Sequence, residues 1–457
     1  MFNFRYNKSY FILLTSYLIH SSCSIQKQIA RSAKEEVLSN KAFQTAHVGI
    51  SIFEPAENKY LYNYQGDKYF VPASNTKLPT CYAAMKYLGD SLVGLYLVDF
   101  KYKDIGAKNW KDSIWLIQPA GDPTFLHPDF KNQPVYELLK SLNRPISLVA
   151  PNWFEQGLGS GWAWGDYQEN YMAERSAMPI YGNVARFRLN KDVFTATPKY
   201  FLYQDDSILA DYINDRLPKT DFTIRRELNK NNFYFTESRQ KFQSVEIPFV
   251  PTDSIVERLL SDTIGKKISF GKIFDANFAK GGHNAIHSQP TDSLLKPMMH
   301  RSDNFFAEQS LLMVSNEMLG VMNDEKIIDT LLKTDFKDLP QKPRWADGSG
   351  LSRYNLFTPQ DFVAILNKMK NEFGMERIKV IFPTGGEGTI SSYYKADSGY
   401  IYGKTGTLSG VVAFSGYFYT KKGKLLIFST LVNNHQGSTT DIRRAVERFL
   451  QGVRSKF

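Results

Sequence analysis

In the stretch VPASNTKLPT, Ser74 and Lys77 stand three residues apart, just ahead of an apolar run with helical spacing. On a helix those two positions share a face, so the lysine can reach the hydroxyl. A serine hydroxyl is a poor nucleophile until a base takes its proton. Lysine can be that base where burial and a nearby cation disfavour its ammonium form. The spacing alone is weak, because Ser-x-x-Lys also begins at Ser24, Ser238, Ser269, Ser293 and Ser392, and a serine at a helix start is ordinarily a cap. What carries information is an ordered set: Ser74-x-x-Lys77, then Ser302-Asp303-Asn304, then Lys404-Thr405-Gly406 with Thr407 behind it. Ser302 can pass a proton to a leaving amine, Asn304 can donate to a substrate carbonyl, and Lys404 with Thr405 can hold an anionic terminus. Gly406 lets an extended peptide approach a strand edge. The backbone N–H groups of Ser74 and Thr407 would form an oxyanion hole.

These residues need elements to hold them. HVGISIF (47–53) alternates with period two, and KYLYNY (59–64) follows a PAEN turn, which predicts a hairpin. The helix carrying Ser74 and Lys77 runs on until Gly89 stops it. Near the other end, YIYGKTGTL, VVAFSGYFYT and KLLIFSTLVN read as three strands, with KKG (421–423) turning the last two. An amphipathic helix then presents Ile442, Ala445, Val446, Phe449 and Leu450 on one face. Hairpin, three strands and terminal helix together predict one antiparallel sheet flanked by helices. From about Leu97 to Pro248 the chain turns to short strand-like runs, aromatics and turn signals, the pattern of an insertion. From Pro290 it reads as helix again, and Pro297 predicts a break between two helices.

Length and charge narrow the rest. The 457 residues suggest two or three domains, and the net charge of +10 is scattered. Without an arginine-rich arm, zinc-finger spacing or RNA-binding aromatic motif, it does not point to nucleic acid, and diffuse positive charge suits an anionic membrane or cell wall. Arg5 and Lys8 precede a short apolar run, Tyr10 to Ile19, and then HSSC, the order of a secretory signal. Cys23 stands where a bacterial lipoprotein signal places its lipidated cysteine, although His20 replaces the usual leucine. Cys81 is then alone and is expected to be a buried small hydrophobe. HNAIH (283–287) has helical metal-ligand spacing but lacks a glutamate inside it, so a loop pair is expected and no metal site. There is no phosphate loop and no GxSxG elbow.

The three ordered motifs are shared by class A β-lactamases and penicillin-binding proteins. ASNTKL, AGDPTF, GWAWGDY, RSDNFFAEQ, DGSGLSRYNLFTP, GEGTI and GKTGTLSGVVAFSGY, in that order, resemble the S13 family of D-alanyl-D-alanine carboxypeptidases and endopeptidases, the low-molecular-mass class C penicillin-binding proteins. Ser302 lies 225 positions after Lys77, which fits that family, since it nests extra domains there; serine β-lactamases have far shorter gaps. The resemblance implies an α+β fold. Its transpeptidase-like catalytic domain would comprise residues 24–96 and 285–457, after a signal peptide at 1–22. Two nested strand-rich domains would occupy 97–284, the third domain spanning roughly 185–245. It also implies a serine DD-peptidase acting on peptidoglycan stem peptides and acylated by β-lactams; the N-terminal signal, read by itself, adds secretion to the periplasm, where Cys23 offers a lipid anchor for membrane association. No cofactor is implied. Ser74 would be the acylated nucleophile, Lys77 its base, and Ser302, Asn304, Lys404, Thr405, Gly406 and Thr407 would take the roles above. Arg353 and Ser409 would bind the stem. One departure stands out: VAPNWFEQG offers no aspartate where relatives place an acid that contacts the stem's diamino acid.

Overall fold

The computed structural model describes residues 25–101, 113–190, 193–202, 224–235, 244–271 and 284–456. The expected signal segment, Cys23 and His283 lie outside them. The described chain forms two compact units. One is built from residues up to Leu78, Asp338–Trp345 and from Asn355 onward; the other is built from Pro79–Lys337 and Ala346–Tyr354.

The first unit is organised by one antiparallel sheet in the order β13-β14-β15-β1-β2. The predicted hairpin is β1 (His47–Glu54) with β2 (Lys59–Tyr64), and the three C-terminal strands are β13 (Ile401–Leu408), β14 (Val411–Tyr419) and β15 (Leu425–Asn433). β1 pairs with β15 from His47↔Asn433 to Phe53↔Ile427, joining the two ends of the chain in mid-sheet. The KKG turn needs left-handed backbone at Gly423 (φ 80°), which glycine adopts without a Cβ penalty. The terminal helix α9 (Thr439–Lys456) buries the predicted face, Ile442, Ala445, Val446, Phe449 and Leu450, in one cluster with Ile50, Ile52, Phe414 and Phe428. Each of these side chains larger than Ala445 contributes roughly 1.5–3 kcal/mol of burial. Tyr417 points the other way, as alternation along a strand requires, and donates from its hydroxyl to the Leu366 carbonyl of α8 (Pro359–Ile381) at 2.7 Å. The sheet is thus flanked by helices, as the periodicity predicts. At residues 25–33, α1 runs into a π-helical turn, Lys34–Leu38.

The second unit contains most of α2 (Lys77–Tyr87), two smaller sheets, and a mixed sheet in which β11 (Ile268–Phe270), β5 (Ile146–Leu148) and β4 (Ser113–Pro119) lie in that order beside two further strands. β3 (Ser91–Lys101) and β12 (Asn284–Pro290), which flank the expected insertion, lie side by side and antiparallel. His287 is therefore on a strand, where its Nδ1 meets the Ser91 hydroxyl at 2.8 Å, and not on a ligand-bearing helix. Cys81 is buried and forms no disulfide among the described residues.

The helical stretch after Pro290 does break, but not where proline predicts. α5 (Thr291–His300) carries Pro297 inside it, losing only the bond its missing N–H would have made. The chain breaks five residues later, where Ser302 adopts a left-handed φ of 63° and Asp303 caps α6 (Asn304–Leu319) by accepting from the Phe306 N–H at 3.0 Å. Among the described residues no helix is long and apolar enough to cross a membrane.

Candidate active site

Ser74 is not a simple helix cap. It sits inside a 3-10 turn, Ala73–Thr76, that feeds α2, with Ala73 in left-handed backbone at φ 48°. The turn is fixed from both sides. Thr76 donates from its hydroxyl to the Ala73 carbonyl at 2.9 Å. Asn75 is fully buried and donates to Ser415 Oγ at 2.7 Å, which in turn bonds Ser429 Oγ at 2.8 Å. This chain of polar groups ties the turn to β14 and β15. One turn on, Lys77 Nζ donates to Ser74 Oγ at 3.1 Å. Lys77 is completely buried, whereas Ser74 is half-buried.

β13, an end strand of the sheet, brings the third motif to the same turn. A Cβ on Gly406 would stand 2.6 Å from the Pro72 carbonyl oxygen and 3.0 Å from the Ser74 nitrogen. The glycine is required because the Ser74 backbone itself presses on the strand. This requirement stands beside the expected one, room for an incoming peptide, and is independent of it. Lys404 is fully buried and donates to the Thr405 carbonyl at 2.7 Å. Burial first, then the charges of Lys77 and Arg443, holds its pKa well below the ordinary lysine value. The Thr405 hydroxyl donates to Thr389 Oγ1 at 2.7 Å, and Thr407 Oγ1 accepts from the Arg443 guanidinium of α9 at 2.6 Å. Ser409 lies exposed in the turn between β13 and β14.

The first unit thus brings together Ser74, Lys77, Lys404, Thr405, Gly406 and Thr407. Ser302, Asn304 and Arg353 belong to the second. There the left-handed Ser302 and the Asp303 cap set the start of α6, and Asp303 also accepts from the Arg301 guanidinium at 3.1 Å. Asn304 Nδ2 donates to the Tyr171 carbonyl at 2.9 Å, which fixes the orientation of the amide. Ser302 and Asn304 line a cavity of about 360 Å³ that also has His127, Asp129, Arg186 and Arg301 in its walls. Arg353 is exposed on the loop 346–354. Glu155, in the segment lacking the expected aspartate, pairs with buried Arg175 at 3.2 Å.

Arg443 and Thr389 were not singled out in the sequence. The helical period of α9 marks which residues face the core, not which arginine meets Thr407. Among the described residues no group of His, Cys, Asp or Glu is placed to hold a metal.

A serine on a helix start with a buried lysine in hydrogen-bond reach, beside an edge strand carrying a second buried lysine, is the arrangement a serine hydrolase on the penicillin-binding fold needs. The chain belongs to the D-Ala-D-Ala carboxypeptidase 3 (S13) family, whose model matches residues 30–453. It is similar to the D-alanyl-D-alanine carboxypeptidase DacB of Haemophilus influenzae, with 24% identity over 90% of each chain. It is also similar to a D-alanyl-D-alanine carboxypeptidase of Actinomadura, with 26% identity over 88% of this chain and 80% of that one. The fold matches the crystal structure of penicillin-binding protein 4 from Haemophilus influenzae with a TM-score of 0.68 at 20% identity, covering 92% of this chain and 97% of the other.

Proposed function

We propose that Ser74 is the acylated nucleophile of a serine DD-peptidase that cleaves the terminal D-alanyl-D-alanine bond of peptidoglycan stems, or the D-amino-acid cross-link between stems. The observation that carries this reading is the 3.1 Å contact from Lys77 Nζ to Ser74 Oγ, on a turn against which Gly406 of β13 is pressed. Lys77 takes the hydroxyl proton as Oγ attacks the carbonyl carbon of the penultimate D-alanine. Backbone N–H groups of Ser74 and Thr407 stabilise the oxyanion. Lys404, Thr405 and Arg443 hold the terminal carboxylate, and depressed basicity at Lys404 keeps the buried cluster from accumulating charge. Ser302 returns a proton to the leaving amine, Asn304 donates to the substrate backbone, and Arg353 and Ser409 contact the stem. Water then releases the acyl group.

The same geometry accepts a β-lactam, whose strained amide and carboxylate mimic the scissile bond and terminus; a structure of the Haemophilus protein in complex with a β-lactam shares the fold at a TM-score of 0.62. The basic, apolar start and Cys23 support export to the periplasm with a lipid anchor. The catalytic domain would comprise 24–96 and 285–457, with the nested domains at 97–284.

Wild type should label covalently with a fluorescent penicillin and release D-alanine from a pentapeptide. Ser74→Ala should do neither, and a labelled Ala variant would sink the assignment.

A further inference from the structure

The loop 346–354 joins elements that the motifs leave separate. Gly348 presses backbone to backbone on α6: a Cβ there would stand 2.8 Å from the Ala307 carbonyl oxygen and 3.3 Å from the Glu308 Cα. The Gly348 carbonyl accepts from the Thr80 hydroxyl of α2 at 2.7 Å, one turn beyond Lys77. Asp347, fully buried, accepts from the N–H groups of Gly350 at 2.8 Å and Ser352 at 2.6 Å and from the Trp162 indole at 3.0 Å. Arg353 follows directly. One loop therefore touches the helix that starts at Lys77, the helix that starts at Asn304, and the base of Arg353.

Glu308 is the side chain that fastens this loop. It lies one turn beyond Asn304 on the same face of α6. It is buried, and its Oε1 accepts from the Ser349 N–H at 2.7 Å. Its Oε2 is buried and receives no hydrogen bond among the described residues; the nearest cation, Arg175 Nη1, is 3.5 Å away and sits closer to Asp324, at 2.6 Å. Arg175 also pairs with Glu155 at 3.2 Å. The Arg175 guanidinium is thus shared by Glu308, Asp324 and Glu155, and the Asp347 carboxyl group also acts on Glu308.

We propose that Glu308 is a proton-dependent positioning residue. In its neutral form it keeps the loop 346–354 seated on α6 and α2, and on ionisation it loosens that loop and with it Arg353. Burial, and next the Asp347 carboxylate, push the Glu308 carboxyl up to about 7, so the change falls in a working pH range. Below it the proton occupies Oε2, which no donor reaches. Above it the Ser349 bond to Oε1 gains charge, but the larger effect is the second anion's repulsion of Asp347, whose bonds to Gly350 and Ser352 shape the turn before Arg353.

This inference rests on the DD-peptidase reading, and the experiment separates the two. kcat and KM for a D-Ala-D-Ala pentapeptide are measured between about pH 5.5 and 9, with penicillin labelling of Ser74 followed in parallel. Wild type should lose several-fold in kcat/KM through a midpoint near 7, carried mainly by KM. Glu308→Gln keeps a carbonyl for Ser349 but cannot ionise, so that limb should vanish while activity at low pH stays within a few-fold. Should the Gln variant fail to fold, Asp347→Asn removes the main like-charge neighbour and should move the limb to lower pH. A limb identical in wild type and Glu308→Gln, or no limb in wild type, with labelling intact, overturns the inference alone. Loss of labelling in wild type overturns the reading beneath it.

Discussion

Replacing Gly406 by alanine tests whether the closeness of β13 to the Ser74 turn sets the reactive geometry. An added Cβ would lie 2.6 Å from the Pro72 carbonyl oxygen, where ordinary contact begins at 3.4 Å. About 0.8 Å must be found by moving strand against turn, since the second neighbour, the Ser74 nitrogen at 3.0 Å, is backbone too. The turn resists, because Asn75 is bonded to Ser415 and Ser415 to Ser429. Overpacking of this size costs roughly 1–3 kcal/mol, a shift of a few degrees in melting temperature that leaves the protein folded. A displacement approaching 1 Å at reacting groups can cost about 10²-fold in rate. We therefore expect acylation of Ser74 by a fluorescent penicillin to slow by roughly 30- to 100-fold in Gly406→Ala, with the melting transition still cooperative. A rate within about two-fold of wild type would refute the claim that this contact sets the oxyanion geometry.

Two further outcomes follow from the lysine and arginine cluster. Because the pKa of Lys404 is lowered, the folded chain releases a proton that the unfolded chain holds up to the ordinary value of 10.5. Its penalty is then complete below the lowered pKa and fades as pH rises towards that value. Lys404→Met should stabilise the protein by about 1 kcal/mol at neutral pH and progressively less toward alkaline pH, while abolishing turnover. Melting curves across pH check this, and a variant less stable than wild type throughout would contradict it. Arg443→Ala removes the donor to Thr407 and one cation, so KM for a D-Ala-D-Ala peptide should rise about ten-fold with kcat little changed. An unchanged KM would remove Arg443 from the carboxylate site.

The parts of the structure that follow local periodicity were legible. The β1–β2 hairpin, the three C-terminal strands and the core face of α9 are where alternation and helical spacing put them, because one face of each meets a core. The order of the three motifs was legible because each sits at the start or edge of such an element. What sequence could not supply are facts about distant partners. Pro297 looked like the breaker, yet α5 tolerates it and the break belongs to Ser302 and Asp303, whose backbone and capping bond show only in three dimensions. His287 had helical spacing to a neighbour and lies on a strand. Gly406 had a readable glycine but an unreadable reason, since Pro72 and Ser74 come from far along the chain. Arg443 shares its helix with other arginines that meet different groups.

The pairing of β1 with β15 has a consequence for the order in which the protein can be completed. β1 is synthesised well before its partner β15, to which it pairs from His47↔Asn433 to Phe53↔Ile427. Contacts this distant in sequence form late, after the loop between them has been closed. The nascent chain therefore carries Ser74 early but cannot complete the sheet beside it until β15 has been made. A chain truncated ahead of β15 leaves β1 without its neighbour on that side.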